Sequence, residues 1–192
     1  KSISETRVQE VESLFIHELT SLIRTLISRS KFYETSGDTL EECYKRVLFL
    51  RDVIENKDGY RIFYVKGAPL KRESDLHVMF RLTWYATPSD LSPETNAVRG
   101  PVDFKASRGS NDKTLVEFKL ASNSKLKQNL ANQVEIYKKA HDTDKAIKVI
   151  LFFSYEEERK VKEILKDLGL DNEKYVVLID ARIDNKPSAS TA

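Results

Sequence analysis

The segment LVEFKLA, residues 115–121, is apolar except for two charged side chains. Successive side chains of a β-strand point to opposite faces, so Glu117 and Lys119 share one face while Phe118 points to the other. Burying a charge is costly unless it meets an opposite charge or a metal ion. The chain therefore has to fold so that this strand is covered on both faces and its two charges find partners.

A second acidic residue stands at the start of the preceding apolar segment. Asp103 follows Pro101 and Val102, and the link from this segment to the Glu117 strand, ASRGSNDKT, is short, polar and contains Gly109. Such a link is typical of the turn of an antiparallel hairpin, which would bring Asp103 beside Glu117. Two carboxylates and an ammonium would then share a small volume. A buried ion pair among these residues is the alternative to a reactive site.

On these residues the chain resembles the PD-(D/E)xK nuclease superfamily, whose fold is restriction-endonuclease-like. Asp103, Glu117 and Lys119 match its motif, with the proline displaced by one position. Gln133 and Tyr137 are similar to the Gln-x-x-x-Tyr element of several of its families. The spacing of an acidic residue and a lysine recurs elsewhere in this charged chain, so the strand context carries the resemblance.

The resemblance, which covers roughly residues 70–182, implies an endonuclease or exonuclease that hydrolyses phosphodiester bonds. It favours DNA over RNA, within a DNA-processing or host-defence protein. Such hydrolysis uses a hard divalent cation held by oxygen ligands. Asp103, Glu117 and the Phe118 carbonyl are the expected ligands of Mg²⁺ or Mn²⁺, with Glu73 as a further candidate.

Lys119 on the strand, and two residues of the helix expected to cover it, are the remaining candidates for catalytic roles. We expect Lys119 to orient the attacking water or to stabilise charge in the transition state. Gln133 is expected to hold the lysine, the water or a phosphate, and Tyr137 to support it. A helix-edge glutamine that meets solvent is the alternative for Gln133.

The net charge of only +2 does not by itself indicate nucleic-acid binding. Such binding is expected instead from where the basic residues lie. A basic rim around the hairpin and the following helix is the predicted contact for the phosphate backbone, and it consists of Arg99, Lys105, Arg108, Lys113, Lys125 and Lys127. A solvated charged face is the alternative for each residue taken singly.

Several other functions are disfavoured by the composition. The single cysteine, Cys43, excludes an internal disulfide and the usual Cys/His zinc patterns. No glycine-rich phosphate-binding loop occurs, and the three histidines, His17, His77 and His141, do not cluster in sequence. With no signal peptide or long apolar run, we expect an intracellular, cytoplasmic protein without membrane contact.

The order of periodic segments predicts an α/β fold with a mixed central sheet of about five strands flanked by helices, preceded by an N-terminal helical pair. The first helix of the pair spans about 4–29, and a capping box at Thr39–Glu42 opens the second. Expected strands are YRIFYVKG at the sheet edge, the two hairpin strands, AIKVILFFS and YVVLIDA, with helices over about 71–86, 125–140 and 154–168. A loop with Pro88 and Pro93 precedes the hairpin.

The expected domains are an N-terminal helical region, 1–58, a nuclease-like core, 59–184, and a disordered tail, 185–192. The first helix either packs on the core or forms a homodimer. The alternative to an enzyme is a non-catalytic nucleic-acid-binding or scaffold domain that retains the fold.

Overall fold

The structure is a computed structural model that describes residues 16, 17, 20, 37–69, 71–85, 87–93, 102–131 and 143–186. The chain forms two compact units, Lys1–Ser36 and Gly37–Ala192. In the first unit, the described residues are helical, and the Thr20 hydroxyl donates to the Ile16 carbonyl at 2.7 Å. The rest of the predicted 4–29 helix lies outside the described residues.

The second unit opens with helix α1, Thr39–Asn56. Its N-cap is Asp38, whose carboxylate accepts from the Glu41 N–H at 3.1 Å, rather than the Thr39 predicted from the capping-box pattern. The buried residues of α1 recur at helical spacing and face the sheet: Cys43, Val47, Leu50 and Ile54. Because α1 shares the sheet's core, the compact unit begins at Gly37, whereas the sequence placed a boundary after residue 58.

The predicted edge strand YRIFYVKG is wrong. A 3₁₀ helix, Gly59–Phe63, is followed by a separate two-stranded hairpin of β1, Tyr64–Val65, and β2, Ala68–Pro69. Tyr60 and Phe63 are both buried. Their spacing of three suits a 3₁₀ turn, whereas a strand would send them to opposite faces.

Helix α2, Glu73–Leu82, lies within the helix predicted over 71–86. The segment that follows it was predicted as a loop, but Asp90–Pro93 forms strand β3 at the edge of the sheet. Pro93 is compatible with this position because an edge strand does not need every N–H for pairing.

The remaining strands complete a five-stranded mixed sheet in the order β3-β4-β5-β6-β7, which confirms the predicted α/β class. The first two pairings, β3–β4 and β4–β5, are antiparallel, and the last two, β5–β6 and β6–β7, are parallel. The bounds are β4, Phe104–Arg108; β5, Asp112–Leu120; β6, Ala146–Phe152; β7, Val176–Asp180.

Helix α3, Tyr155–Asp167, joins β6 to β7. Ser154 caps the helix as predicted, since its Oγ accepts from the Glu157 N–H at 3.2 Å. The Glu157 carboxylate reaches one residue further back than a standard capping box and accepts from the Phe153 N–H at 2.8 Å. Gly169 follows the helix with φ +66°, the left-handed conformation expected at a helix end.

Two layers of helix cover the sheet. Helices α1 and α2 pack on the face that contains Phe118 and Val149, while α3 and the helical segment 126–131 pack on the face that contains Ile150. None of the described helices is long and apolar enough to cross a bilayer.

Candidate active site at the carboxyl end of strand β5

The site lies where strand β5 extends beyond the end of β4, its antiparallel neighbour. β4 begins at Phe104, opposite Val116, whereas β5 continues along β6 as far as Leu120. Since backbone groups of a strand alternate in direction, the N–H groups of Phe118 and Leu120 point to the side where β4 has ended.

Two carboxylates take the place of the missing strand. Asp103 Oδ2 accepts from the Phe118 N–H at 2.6 Å, and Glu73 Oε1 accepts from the Leu120 N–H at 3.3 Å. Asp103 is the residue immediately before β4, and Glu73 lies in the first turn of α2. The end of the sheet is therefore also the place where acidic groups converge.

Glu117 and Lys119 lie side by side on the face of β5 predicted from the alternation. Lys119 Nζ is 3.0 Å from Glu117 Oε1 and 3.9 Å from Asp103 Oδ2, and it donates to the Phe118 carbonyl at 2.9 Å. Glu117 is 6% exposed. The structure thus brings Asp103, Glu117 and Lys119 together as the hairpin pairing predicts.

The charges in this cluster shift one another's proton affinity. Burial raises the pKa of Glu117 above its usual range, and the Lys119 ammonium only partly opposes this. Burial disfavours the Lys119 ammonium, yet the carboxylates of Glu117, Asp103 and Glu73 together raise the pKa of Lys119. Lys119 is therefore positively charged at neutral pH.

His77 belongs to the cluster, although it was not predicted as a neighbour of Asp103. Its Nε2 atom is buried 3.6 Å from Asp103 Oδ2, and no described residue hydrogen-bonds to it. The ring is held edge-on to Phe104, with centroids 5.4 Å apart, and against Phe118 at 5.7 Å. The available signal was helical spacing, because His77 lies one turn after Glu73.

Lys148 on β6 is a second charge that the sequence analysis overlooked, because the surrounding run is apolar. It pairs in register with Glu117, is 8% exposed, and its Nζ donates to the Leu130 carbonyl at 2.8 Å. This bond ties the helical segment 126–131 to the sheet beside the site.

Two carboxylates of the cluster offer the oxygen atoms that hard divalent cations prefer as ligands. Asp103 and Glu117 supply carboxylate oxygens, and Glu117 Oε1 is buried without a hydrogen bond of proper geometry among the described residues. The Phe118 carbonyl faces the cluster but accepts from Lys119, and Glu73 is bound to the Leu120 N–H. Within the described ranges, no group of three or more His, Cys, Asp or Glu side chains is arranged to hold a metal.

The predicted basic rim does not form one surface beside the cluster. Arg108 and Lys113 flank the hairpin turn, about 14–17 Å along the strands from Asp103 at 3.4 Å per residue. Lys105 is the second residue of β4, about 7 Å along the strand from Asp103. Lys125 is exposed beyond the carboxyl end of β5, whereas Lys127 pairs with Asp167 at 2.7 Å. Arg99, Gln133 and Tyr137 lie outside the described residues.

Arg108 belongs to a network that supports the fold. Its guanidinium donates to Glu42 Oε2 at 2.8 Å, to Ser89 Oγ at 3.2 Å and to the Gly37 carbonyl at 3.0 Å. These contacts join β4 to α1 and to the segment before β3. The residue is thus committed to tertiary contacts that its proposed role in nucleic-acid binding did not include.

We expect Arg108→Ala to lower stability by about 1–3 kcal/mol, because it removes charge-assisted hydrogen bonds from the partly buried Glu42. Thermal unfolding measures the change, and Lys125→Ala, which removes an exposed cation, should stay within about 0.5 kcal/mol of the parent. An Arg108→Ala variant of unchanged stability that binds DNA more weakly would restore the residue to the basic rim.

The fold and the site define an α/β protein with a carboxylate–lysine cluster at the carboxyl end of a central strand. The chain belongs to the family described as Domain of unknown function (DUF8371), which matches residues 39–155. The matched range starts with α1 and includes Glu73, Asp103, Glu117 and Lys119. Comparison with curated proteins finds no match, and comparison with solved structures finds none.

Proposed function

We propose that this protein is a metal-dependent nuclease that hydrolyses phosphodiester bonds. The observation that carries the proposal is the meeting of Asp103, Glu117 and Lys119 where β4 ends and β5 continues. The preference for DNA, and a place in DNA processing or host defence, rest on the resemblance to the nuclease superfamily alone.

Asp103 and Glu117 are the residues that would hold Mg²⁺ or Mn²⁺. Such a cation, when bound, lowers the pKa of a water molecule and offsets charge on the phosphate. The protein's own contribution is positional. Asp103 is held in place by the Phe118 N–H, and the positively charged Lys119 lies 3.9 Å from Asp103 Oδ2. The neighbouring carboxylates keep this lysine protonated.

A non-catalytic nucleic-acid-binding or scaffold domain is the second candidate. It is favoured by the contacts that Lys119 already makes with Glu117 and the Phe118 carbonyl. A buried ion pair of this kind can simply stabilise one arrangement of the strands. In that case Asp103, Glu117 and Lys119 would stabilise the fold and take no part in a reaction.

A cleavage assay with Mg²⁺ or Mn²⁺ on duplex DNA, single-stranded DNA and RNA tests the proposal. We expect cleavage of DNA that is lost with EDTA and in Glu117→Gln, which keeps the side-chain volume but removes the negative charge. Cleavage that survives in Glu117→Gln would assign it to another site or a contaminant. No cleavage of any substrate would support the scaffold candidate.

Metal binding is expected to raise the melting temperature, because a ligand that binds only the native state stabilises it by mass action. At a hundredfold excess over Kd the gain is about 2.7 kcal/mol, which corresponds to roughly 5–10 °C for a chain of this size. Differential scanning fluorimetry with Mn²⁺ measures the shift, with Glu117→Gln as the control. A melting temperature that is unchanged at millimolar Mn²⁺ would contradict the metal site.

A further inference from the structure

Residues 59–72, here named the carboxyl-edge segment, form a stretch of cationic character. The sequence GYRIFYVKGAPLKR contains four cations and no Asp or Glu, although acidic residues are common in the rest of the chain. The 3₁₀ helix, the β1–β2 hairpin and the approach to α2 all lie within it. The predicted basic rim did not include this segment.

The carboxyl-edge segment follows the ends of the three parallel strands in turn. The Tyr64 hydroxyl donates at 2.9 Å to the carbonyl of Ala181, just after β7, and its ring lies 6.0 Å from that of Phe153, just after β6. Glu73, the residue after the segment, reaches the Leu120 N–H at the end of β5. Ligands of open α/β sheets bind outside the carboxyl ends of the strands. The segment therefore lies along the edge where a ligand is expected, and it ends beside the candidate active site.

The segment is anchored on its inner side and open on its outer side. Phe63 is fully buried and stacks edge-on with Phe153, their centroids 6.0 Å apart. On the outer side, Ile62 is 56% exposed and Val65 is 52% exposed. The hairpin turns through two residues of positive φ, Lys66 at 51° and Gly67 at 79°, as a tight two-residue turn requires.

The cations of the segment are accessible to a polyanion. Arg61 pairs with Asp58 at 3.2 Å, Lys71 with Glu157 at 2.6 Å and Arg72 with Asp75 at 3.1 Å, and the cationic side chains of these pairs are 43–61% exposed. The Arg61–Asp58 pair is exposed on both sides and contributes little stability, so a phosphate can replace the Asp58 carboxylate at small cost. Lys66 forms no ion pair with any residue that the structure describes.

We propose that the carboxyl-edge segment binds the phosphate backbone of a DNA substrate as it passes over the Asp103–Glu117–Lys119 cluster. This inference rests on the proposed nuclease function. Without its cation the cluster carries more carboxylates than ammonium groups, and a bound divalent cation offsets that charge at one point only. Most of the substrate affinity therefore has to come from cations beside the cluster. Arg61 and Lys66 supply that attraction, while the exposed Ile62 and Val65 offer apolar contact to sugars and bases.

Fluorescence anisotropy with one labelled DNA sequence, duplex or single-stranded, measures binding by the full chain across a salt series in Ca²⁺. Arg61→Ala combined with Lys66→Ala should make the slope of log K against log salt less negative by about two. At 0.1 M salt this corresponds to roughly 60-fold weaker binding to duplex DNA, or about 8-fold for each lost contact. A single strand should give a smaller change.

Lys166→Ala combined with Lys174→Ala is the matched control, because it removes the same charge near the amino end of β7, at the opposite end of the parallel strands. Like Arg61, Lys174 forms an exposed ion pair, here with Glu41 at 2.9 Å. The control should bind DNA within about twofold of the parent. At 0.1 M salt, charges more than about 10 Å from the bound phosphates are largely screened. Equal melting temperatures would show that both double variants are folded.

The outcomes separate this inference from the function on which it rests. If the parent binds and cleaves DNA while Arg61→Ala with Lys66→Ala binds as tightly as the parent, the segment is not the binding surface and the nuclease proposal stands. Equal losses in both double variants would also overturn the inference, because they indicate a general charge effect. A parent that binds only RNA overturns the DNA assignment, and the cleavage assay reports independently on the nuclease activity.

Discussion

Asp103→Asn and Glu117→Gln are each expected to lower the rate of the proposed cleavage by roughly a thousandfold or more while the protein stays folded. Each change removes one negative charge from the pair that would hold the cation, and electrostatic stabilisation of this kind is usually the largest single contribution to catalysis. Rates under saturating Mn²⁺, together with unfolding curves, measure the two effects separately.

The structure decides which substitution is informative at Asp103. Its Oδ2 atom accepts from the Phe118 N–H, so Asp103→Ala leaves a buried backbone donor without a partner, at a cost of about 1–3 kcal/mol. Asparagine retains an oxygen acceptor and avoids that cost. Glu163→Gln, an exposed change on α3, is the control and should cleave at the parent rate. An Asp103→Asn or Glu117→Gln variant that also cuts at the parent rate would show that the site is misassigned.

Lys119→Met is expected to lower kcat by about a hundred- to a thousandfold, or roughly 3–4 kcal/mol of transition-state stabilisation. The side chain is 12% exposed, and methionine preserves most of its packing. Because the ammonium lies 3.0 Å from Glu117, its loss leaves Mn²⁺ affinity intact or improved. Isothermal titration of Mn²⁺ beside single-turnover kinetics therefore distinguishes a catalytic lysine from a purely structural one.

Lys113→Met is the matched control for this prediction. Lys113 lies on the same strand and on the same face, six residues away, or about 20 Å along β5. It should turn over at the parent rate. A Lys119→Met variant with parent kcat, or one that unfolds while Lys119→Arg restores both stability and the parent rate, would indicate that the lysine serves only the ion pair.

Local pattern was sufficient for much of the fold. The Ser154 cap of α3 and the apolar run of β6 both appear where the sequence predicts them. Asp103 and Glu117 were also predictable neighbours, because a hairpin that turns near Gly109, with φ +70°, sets its own register. These are contacts between residues close in sequence, where chain geometry leaves few alternatives.

Local sequence pattern could not predict which segments belong to the central sheet. The segment 60–67 was predicted as the edge strand and 90–93 as part of a loop, yet Asp90–Pro93 is the segment that pairs with β4. The choice depends on what covers Tyr60 and Phe63, which pack into the core beneath α1. That burial is a property of the assembled layers.

What the sequence determined by itself was the set of charges on one face of β5 and the carboxylate that the hairpin brings to them. Tertiary structure alone decided their remaining partners. Glu73, which the resemblance had suggested as a candidate, and His77, which nothing had suggested, reach the cluster from α2. Away from the cluster, Arg108 is held by Glu42, 66 positions away in the chain. The physical reason is that alternation and turn geometry act over a few residues, whereas the partner of a buried charge is whichever group the packing of distant elements brings within hydrogen-bond distance.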